Sequence, residues 1–192
     1  MENQISIALE IFKNYALSEK EIRYINNRFE KIELKKGDIL LTPNNNVTYQ
    51  FYTYSGCLRS YFIQKSGKQS TIQFAIKDWW ISDYTAFFTN QKSVMSLECL
   101  KDAVIYKVSK SDIDEVFDKI PRLESFFRKK LEKAFAGFQK RIIEYLSLSA
   151  KERYQKFREN YVEIEKCVKN YHIASYLGIT TESLSRIRKS IS

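Results

Sequence analysis

Between residues 30 and 108 the apolar residues come in short alternating runs broken by turn residues. From Ser109 onward they recur at helical spacing and do not return to alternation. No single layer of regular structure satisfies both periods, so the chain must fold as a β-body followed by a helical part. The runs Ile32 to Leu34, Ile39 to Leu41, Tyr49 to Tyr54, Leu58 to Ile63, Ser70 to Ile76, Met95 to Leu100 and Val104 to Val108 read as strands. Lys35-Lys36-Gly37-Asp38, Ser55-Gly56 and Lys65-Ser66-Gly67-Lys68 read as the turns between them. Short strands with frequent turn signals predict a barrel or sandwich. Trp79 to Phe88 reads as a short embedded helix, with Trp79 and Trp80 either core or pocket wall.

Helices flank this body. Residues 5–29 carry Ile5, Leu9, Phe12, Leu17, Ile22, Ile25 and Phe29 at helical spacing, with Ser18 and Glu21 placed as a capping box. Asp112 to Phe117 reads as a short helix ended at Ile120-Pro121. A long helix then runs from Arg122 to Leu148. Phe127, Leu131, Ala134 and Phe138 form one apolar stripe on it. Leu123, Phe126, Phe135, Ile142, Ile143 and Leu146 form a second. Two stripes predict two partners: the chain's own body and the same helix of a second subunit. The alternative is one wide face on a monomer.

The last forty residues are the most specific. After a basic amphipathic helix over 150–160, the run from Asn170 to Lys189 reads as a helix-turn-helix. Ala174 is small where two helices would approach. Gly178 can take the left-handed conformation that ends the first helix. Ile179 would fill the turn, and Thr180 can cap the second helix, with Glu182 in its first turn. Leu184, Ile187 and Ile191 fall on one face. Thr181, Glu182, Ser185, Arg186 and Lys189 fall on the other, which suits a DNA major groove. The alternative is an ordinary helical hairpin with a solvated face.

Charge agrees with the groove. Residues 1–120 hold 16 basic and 15 acidic side chains, while residues 121–192 hold 16 and 8, so the net +9 sits almost wholly in the last third. A basic region on a near-neutral body favours a nucleic-acid partner, and the helix-turn-helix selects duplex DNA over an acidic membrane. Lysines and arginines over 122–170 would add phosphate contacts.

Other classes find no support. No apolar run reaches membrane-spanning length, and Glu2, Asn3, Gln4 and Glu10 do not begin a signal peptide. Cys57, Cys99 and Cys167 are odd in number and far apart, so neither a metal cluster nor a disulfide framework is expected, and a reducing cytoplasm is the expected compartment. The one histidine, His172, reads as solvent-facing or capping, which leaves no catalytic triad or metal cage. No enzyme, no cofactor and no metal site is expected.

The motifs Ser55-Gly56-Cys57-Leu58-Arg59-Ser60-Tyr61, Thr71-Ile72-Gln73-Phe74-Ala75, and Ile173 through Thr180 running on to Arg188 carry a resemblance. The chain resembles the Crp/Fnr superfamily, the bacterial regulators related to the cyclic-AMP receptor protein, and in particular its short Bacteroidetes-type members. The resemblance covers about Lys31 to Ile191. It implies an α+β architecture with three parts: a sensor β-roll of the cyclic-nucleotide-binding type with N-terminal helices over 1–120, a dimerisation helix over 121–148 using Phe127, Leu131, Ala134 and Phe138, and a helix-turn-helix domain over 149–192. It also implies a homodimeric regulator that places Thr181, Glu182 and Arg186 against bases, with RNA polymerase and a small-molecule effector as further partners. A ligand-binding or protein-interaction module that has lost specific DNA binding is the competing expectation.

The sequence departs from the family at the phosphate-binding cassette. Ser82, Asp83, Lys92 and Ser93 stand at the ligand-binding positions, and Ser93 occupies the place of the arginine that pairs with a cyclic phosphate. Serine cannot supply that charge, so cyclic AMP is not expected to bind, and another effector, or none, would use the cavity. No cysteine precedes Cys57, which removes the family's iron–sulfur mechanism. Little alternation lies between the basic helix and the helix-turn-helix, so the family's β-wing is expected to be reduced or missing.

Overall fold

The computed structural model describes residues 6–191; Ile5 of the first expected helix lies outside them. Two short helices open it, α1 (Ile7–Ile11) and α2 (Glu19–Asn26). The Ser18 hydroxyl accepts from the Glu21 amide, while the Glu21 carboxylate accepts from the Ser18 amide at 2.8 Å, which closes the expected capping box. The strands β1 (Glu30–Leu34), β2 (Ile39–Leu41), β3 (Tyr49–Ile63), β4 (Gln69–Ala75), β5 (Trp79–Ile81) and β6 (Ser96–Ser109) follow, with α3 (Tyr84–Thr89) between β5 and β6. Then come α4 (Lys110–Lys119), a 3₁₀ turn at Pro121–Leu123, α5 (Glu124–Ser147), α6 (Ala150–Asn160), α7 (Val162–Cys167), α8 (Asn170–Leu177) and α9 (Thr181–Ile191). The architecture is α+β, with the antiparallel sheet first and the helices after it.

The sheet runs β1-β6-β3-β4, with β2 also on β6 and β5 also on β3. Its spine is the pairing of β3 with β6, from Tyr49 opposite Ser109 to Tyr61 opposite Ser96. Two expected breaks in this spine are absent. Ser55-Gly56 is not a turn, and Leu100 to Val104 does not separate two strands. Each strand runs through and bends, and the register shifts between Thr53 and Leu58. Gly56 makes the bend possible. Its φ is +90°, and a Cβ there would lie 2.5 Å from Ala103 and from the Asp102 carbonyl on β6. Glycine here marks a bulge with close backbone approach, which in sequence looks the same as a turn.

The expected helix over Trp79 to Phe88 is also corrected. Trp79 to Ile81 pairs with Thr53 to Phe51 of β3, and only from Tyr84 does the chain become helical. Trp80 packs edge-on against Tyr52, Phe29 and Phe127, at 5.4, 6.2 and 5.0 Å between ring centroids.

Three apolar clusters hold the fold. One fills the roll with Leu34, Leu41, Phe51, Leu58, Ile81, Leu97 and Ile105. A second seats α1, α2 and α4 against the sheet through Ile7, Phe12, Ile25, Tyr52 and Val116. The third joins Cys57, Phe74 and Leu100 of the roll to Tyr154, Phe157, Ile164, Ile173, Leu177 and Leu184 of the C-terminal helices. The helix-turn-helix therefore shares its core with the roll. The segment between α6 and α8 is helical, with no strand after Ser109 among the described residues.

The bulge reading makes a contrast between two glycines. Gly67 also has positive φ (+82°) but faces open space. Gly67→Ala should cost about 1–2 kcal/mol from backbone conformation alone. Gly56→Ala should cost roughly a further 1–3 kcal/mol from overpacking against β6. Urea unfolding of the two variants should show that difference, and equal midpoints would contradict the bulge.

Candidate nucleic-acid interface

The helix-turn-helix is assembled by local chemistry. Gly178 ends α8 with φ +70°, and the Ile179 amide returns to the Ala174 carbonyl at 3.0 Å. A Cβ on Gly178 would come within 2.8 Å of the Tyr145 ring on α5, so space as well as conformation requires glycine. The Thr180 hydroxyl accepts from the Ser183 amide at 3.2 Å and so caps α9. Leu184 is fully buried beneath Ile173, Ala174 and Leu177, and Ile187 and Ile191 pack at the margin of the same cluster.

The opposite side of α9 is open. Glu182, Arg186 and Lys189 are exposed, and Thr181 and Ser185 are partly so. The Glu182 amide and the Thr180 hydroxyl hold the Glu182 carboxyl below its ordinary range, with a smaller effect from Arg186. Arg186 makes only a long contact of 3.5 Å to the Ser183 hydroxyl. The five residues expected on one face are thus on one face, and their donors and acceptors are free to turn outward.

Arg188 departs from the expected cluster of outward charge. It donates to the Tyr154 hydroxyl at 2.7 Å and to Glu165 at 2.6 Å, which ties α9 to α6 and α7. His172 departs too. It is buried, its Nδ1 has no hydrogen-bond partner, and its ring lies 4.0 Å from that of Tyr171. Burial lowers its pKa to about 3, helped by the nearby Arg59, Lys169 and Lys36 charges.

α8 presents its other side to the roll. The Ser175 hydroxyl accepts from the Thr71 amide at 2.9 Å and donates to the Gln69 carbonyl at 2.8 Å. Arg141 of α5 reaches the Ile72 carbonyl and covers the Tyr176 ring at 4.3 Å. Arg153 of α6 donates to the Leu148 and Leu177 carbonyls, closing the ends of α5 and α8 together. A cleft of about 360 Å³ remains between the β3–β4 hairpin and the start of α9, lined by Arg59, Lys68, Gln69, Tyr171, Thr181 and Glu182 among others.

On α5, Leu131, Ala134 and Phe138 are exposed, together with Phe135, Ile142, Ile143 and Leu146. Phe127 differs from its expected companions. Its ring packs on Phe12, Phe117 and Trp80 of the chain's own body, because it lies in the first turn of α5, where the helix still crosses the roll.

The expected ligand positions do not form an open site. Asp83 is fully buried. One carboxylate oxygen accepts from the Ala86 amide as the cap of α3, and the other accepts from the Ser93 hydroxyl at 3.0 Å and the Val94 amide at 3.1 Å. The Ser82 hydroxyl donates to the Tyr49 carbonyl at 2.9 Å. Lys92 is exposed, on a backbone bridge opposite Asn46. Ser82, Asp83 and Ser93 are brought together, as the sequence suggested, but they close a loop and leave no polar atom waiting for a ligand. Among the described residues no group of His, Cys, Asp and Glu could hold a metal, and no helix is long and apolar enough to cross a membrane. The contact missed by sequence reasoning is that of Cys57 with Cys167, whose thiols meet where α7 lies on the roll.

A sensor-type roll, a long helix and a helix-turn-helix in one chain define a ligand-sensor fold joined to a DNA-reading motif. Residues 31–119 match the model of the cyclic nucleotide-binding domain. The regulatory protein HlyX of Actinobacillus pleuropneumoniae is 23% identical over 187 residues, covering 90% of this chain and 76% of its own length. A CooA variant of Carboxydothermus hydrogenoformans superposes with a TM-score of 0.73 at 17% identity, covering 95% of this chain and 82% of that one. A Crp/Fnr-family transcriptional regulator of Eubacterium rectale gives 0.70 at 17% identity, covering 91% and 83%. The chain belongs to the Crp/Fnr superfamily, whose members here are regulators and not enzymes.

The buried imidazole sets a pH dependence. His172 stays neutral in the fold, whereas in the unfolded chain it takes up a proton near its model value of 6.5. Its contribution is therefore nil above that pH and increasingly destabilising as pH falls from 6.5 towards 3. The limiting slope is about 1.4 kcal/mol per pH unit. His172→Leu should flatten the acid limb of the stability curve measured by urea unfolding between pH 7 and 4.5. An unchanged limb would contradict the buried neutral state.

Proposed function

We propose that the chain is a homodimeric, sequence-specific DNA-binding transcription regulator of the cytoplasm. The observation that carries this is the free polar face of α9 on a helix whose other face is locked into the core. Thr181, Glu182, Ser185, Arg186 and Lys189 would read base edges. A guanidinium can bind guanine O6 and N7, and a carboxylate can accept from cytosine N4. Exposed lysines of α5 and α6 would contact phosphates and make binding strongly salt-dependent.

The dimer would form along α5. Leu131, Phe135, Phe138 and Ile142 follow 4-3-4 spacing, the seam of a two-stranded coiled coil, and all are exposed in the single chain. Pairing there would present two α9 helices to half-sites about one turn apart on a pseudo-palindrome. RNA polymerase would be met on the DNA.

The roll would not hold cyclic AMP as cyclic-nucleotide-binding relatives do, because Asp83 is engaged by Ser93 and the Val94 amide and no cation stands at Ser93. An effector, if one acts, would use another surface, and none is assigned.

Selection from random duplex DNA should return a palindromic site. On that site Arg186→Ala should cost about 1–3 kcal/mol and relax preference at one base pair per half-site. Phe135→Glu, on the α5 seam, should yield monomers in sedimentation and lose the palindrome. A wild-type dimer with no preference over competitor DNA would refute the regulator reading and leave the interaction-module alternative.

A further inference from the structure

Two thiols that are remote in sequence meet across the junction between the roll and the helix-turn-helix. Cys57 lies on β3 just beyond the Gly56 bulge and is 1% exposed, in one apolar cluster with Ile164 and Val168 of the α7 region. Cys167 is the last residue of α7 and is open to solvent. The two sulfurs are neighbours, close enough for the Cys57 thiol to hydrogen-bond the Cys167 sulfur. Cys99 does not join them, because it faces the roll interior with its thiol directed at the Lys101 carbonyl, 3.1 Å away.

The pair is chemically unequal. The hydrogen bond from Cys57 and the nearby Lys101 ammonium bring the Cys167 thiol down to about 7, against opposing effects of partial burial and Glu163. Cys57 is pushed up by the same hydrogen bond and by burial. One sulfur is therefore an exposed thiolate at neutral pH and the other a protected thiol beside it, the arrangement of an attacking and a resolving cysteine.

We propose that Cys57 and Cys167 are a peroxide-oxidisable pair whose disulfide fastens the helix-turn-helix to the roll. The Cys167 thiolate attacks one oxygen of hydrogen peroxide, the O–O bond breaks, and hydroxide leaves and is protonated to water. Cys167 is now a sulfenic acid. The Cys57 sulfur attacks the Cys167 sulfur, the S–S bond forms, the S–O bond breaks, and the departing hydroxide takes the Cys57 proton as a second water. Two thiols lose two electrons to one peroxide. The bond would add a covalent tie beside the Ser175 contacts to β4 and remove the slack with which each helix-turn-helix adapts to a duplex. That last consequence rests on the DNA-binding reading; the thiol chemistry does not.

The test uses the full-length reduced chain, treated with hydrogen peroxide and digested without reductant. The expected product is an intrachain peptide pair joining Cys57 to Cys167, reversed by dithiothreitol and unaffected by Cys99→Ser. Cys57→Ala should leave Cys167 as a sulfenic acid that a dimedone probe captures. Cys167→Ser, at an exposed position that folding tolerates, should abolish the link. Links between chains only, or a wild-type Cys167 that stops at the sulfenic acid, would overturn the proposal. On the selected DNA the linked form should bind about tenfold more weakly than the reduced form, a usual size for coupling between sites, with no such change in Cys167→Ser. Equal affinities would overturn the coupling. Failure of the reduced protein to bind any duplex would instead count against the DNA-binding reading, with the mapped link judged on its own.

Discussion

The structure turns on how an unpaired strand edge is covered. β4 ends the sheet order β1-β6-β3-β4, so its outer amides and carbonyls have no strand to meet. Such an edge invites association unless something covers it. Here α8 does so, with one hydroxyl: Ser175 accepts from the Thr71 amide and donates to the Gln69 carbonyl. Ile72 falls at a register shift against β3, and its carbonyl is taken by Arg141. Phe74, Phe157 and Tyr176 then stack in a cluster with ring centroids 5.3–6.4 Å apart. From this contact the rest follows. With one side of α8 committed to the roll and α9 locked on α8 by Leu184, the polar side of α9 is left facing outward.

This contact also explains where the excess charge goes. The last third of the chain is basic, yet part of that charge is structural. Arg141 binds β4, Arg153 closes two helix ends, and Arg188 is held by Glu165 and Tyr154. Arg186 and Lys189 stay exposed. Charge counting along the sequence therefore finds the right region but overstates the number of cations available to a polyanion.

What could be read from the sequence was what is decided locally. Residues 170–191 announce a helix-turn-helix because Gly178, Thr180 and Leu184 each act within a few residues of their own position. The Ser18–Glu21 capping box is legible for the same reason. What escaped is decided by distant neighbours. Gly56 looks like a turn until β6 is seen against it. Trp79 to Ile81 becomes a strand only because Phe51 to Thr53 offers it an edge. His172 and Arg188 sit at positions compatible with a surface helix, and α6, α7 and the roll turn them inward. Asp83 and Ser93 were correctly associated, but only geometry reveals that they satisfy each other.

The central claim is that roll and helix-turn-helix form one docked body within each chain. Spin labels carried on unnatural side chains at the exposed positions Lys65, on the β3–β4 hairpin, and Lys189, on α9, measure it directly by pulsed dipolar spectroscopy. In the reduced, DNA-free protein the intrachain distance distribution should be single and narrow, and Ser175→Ala together with Arg141→Ala should broaden it. A broad distribution in the unaltered protein, as from two units joined by a loose hinge at Leu148, would contradict the account.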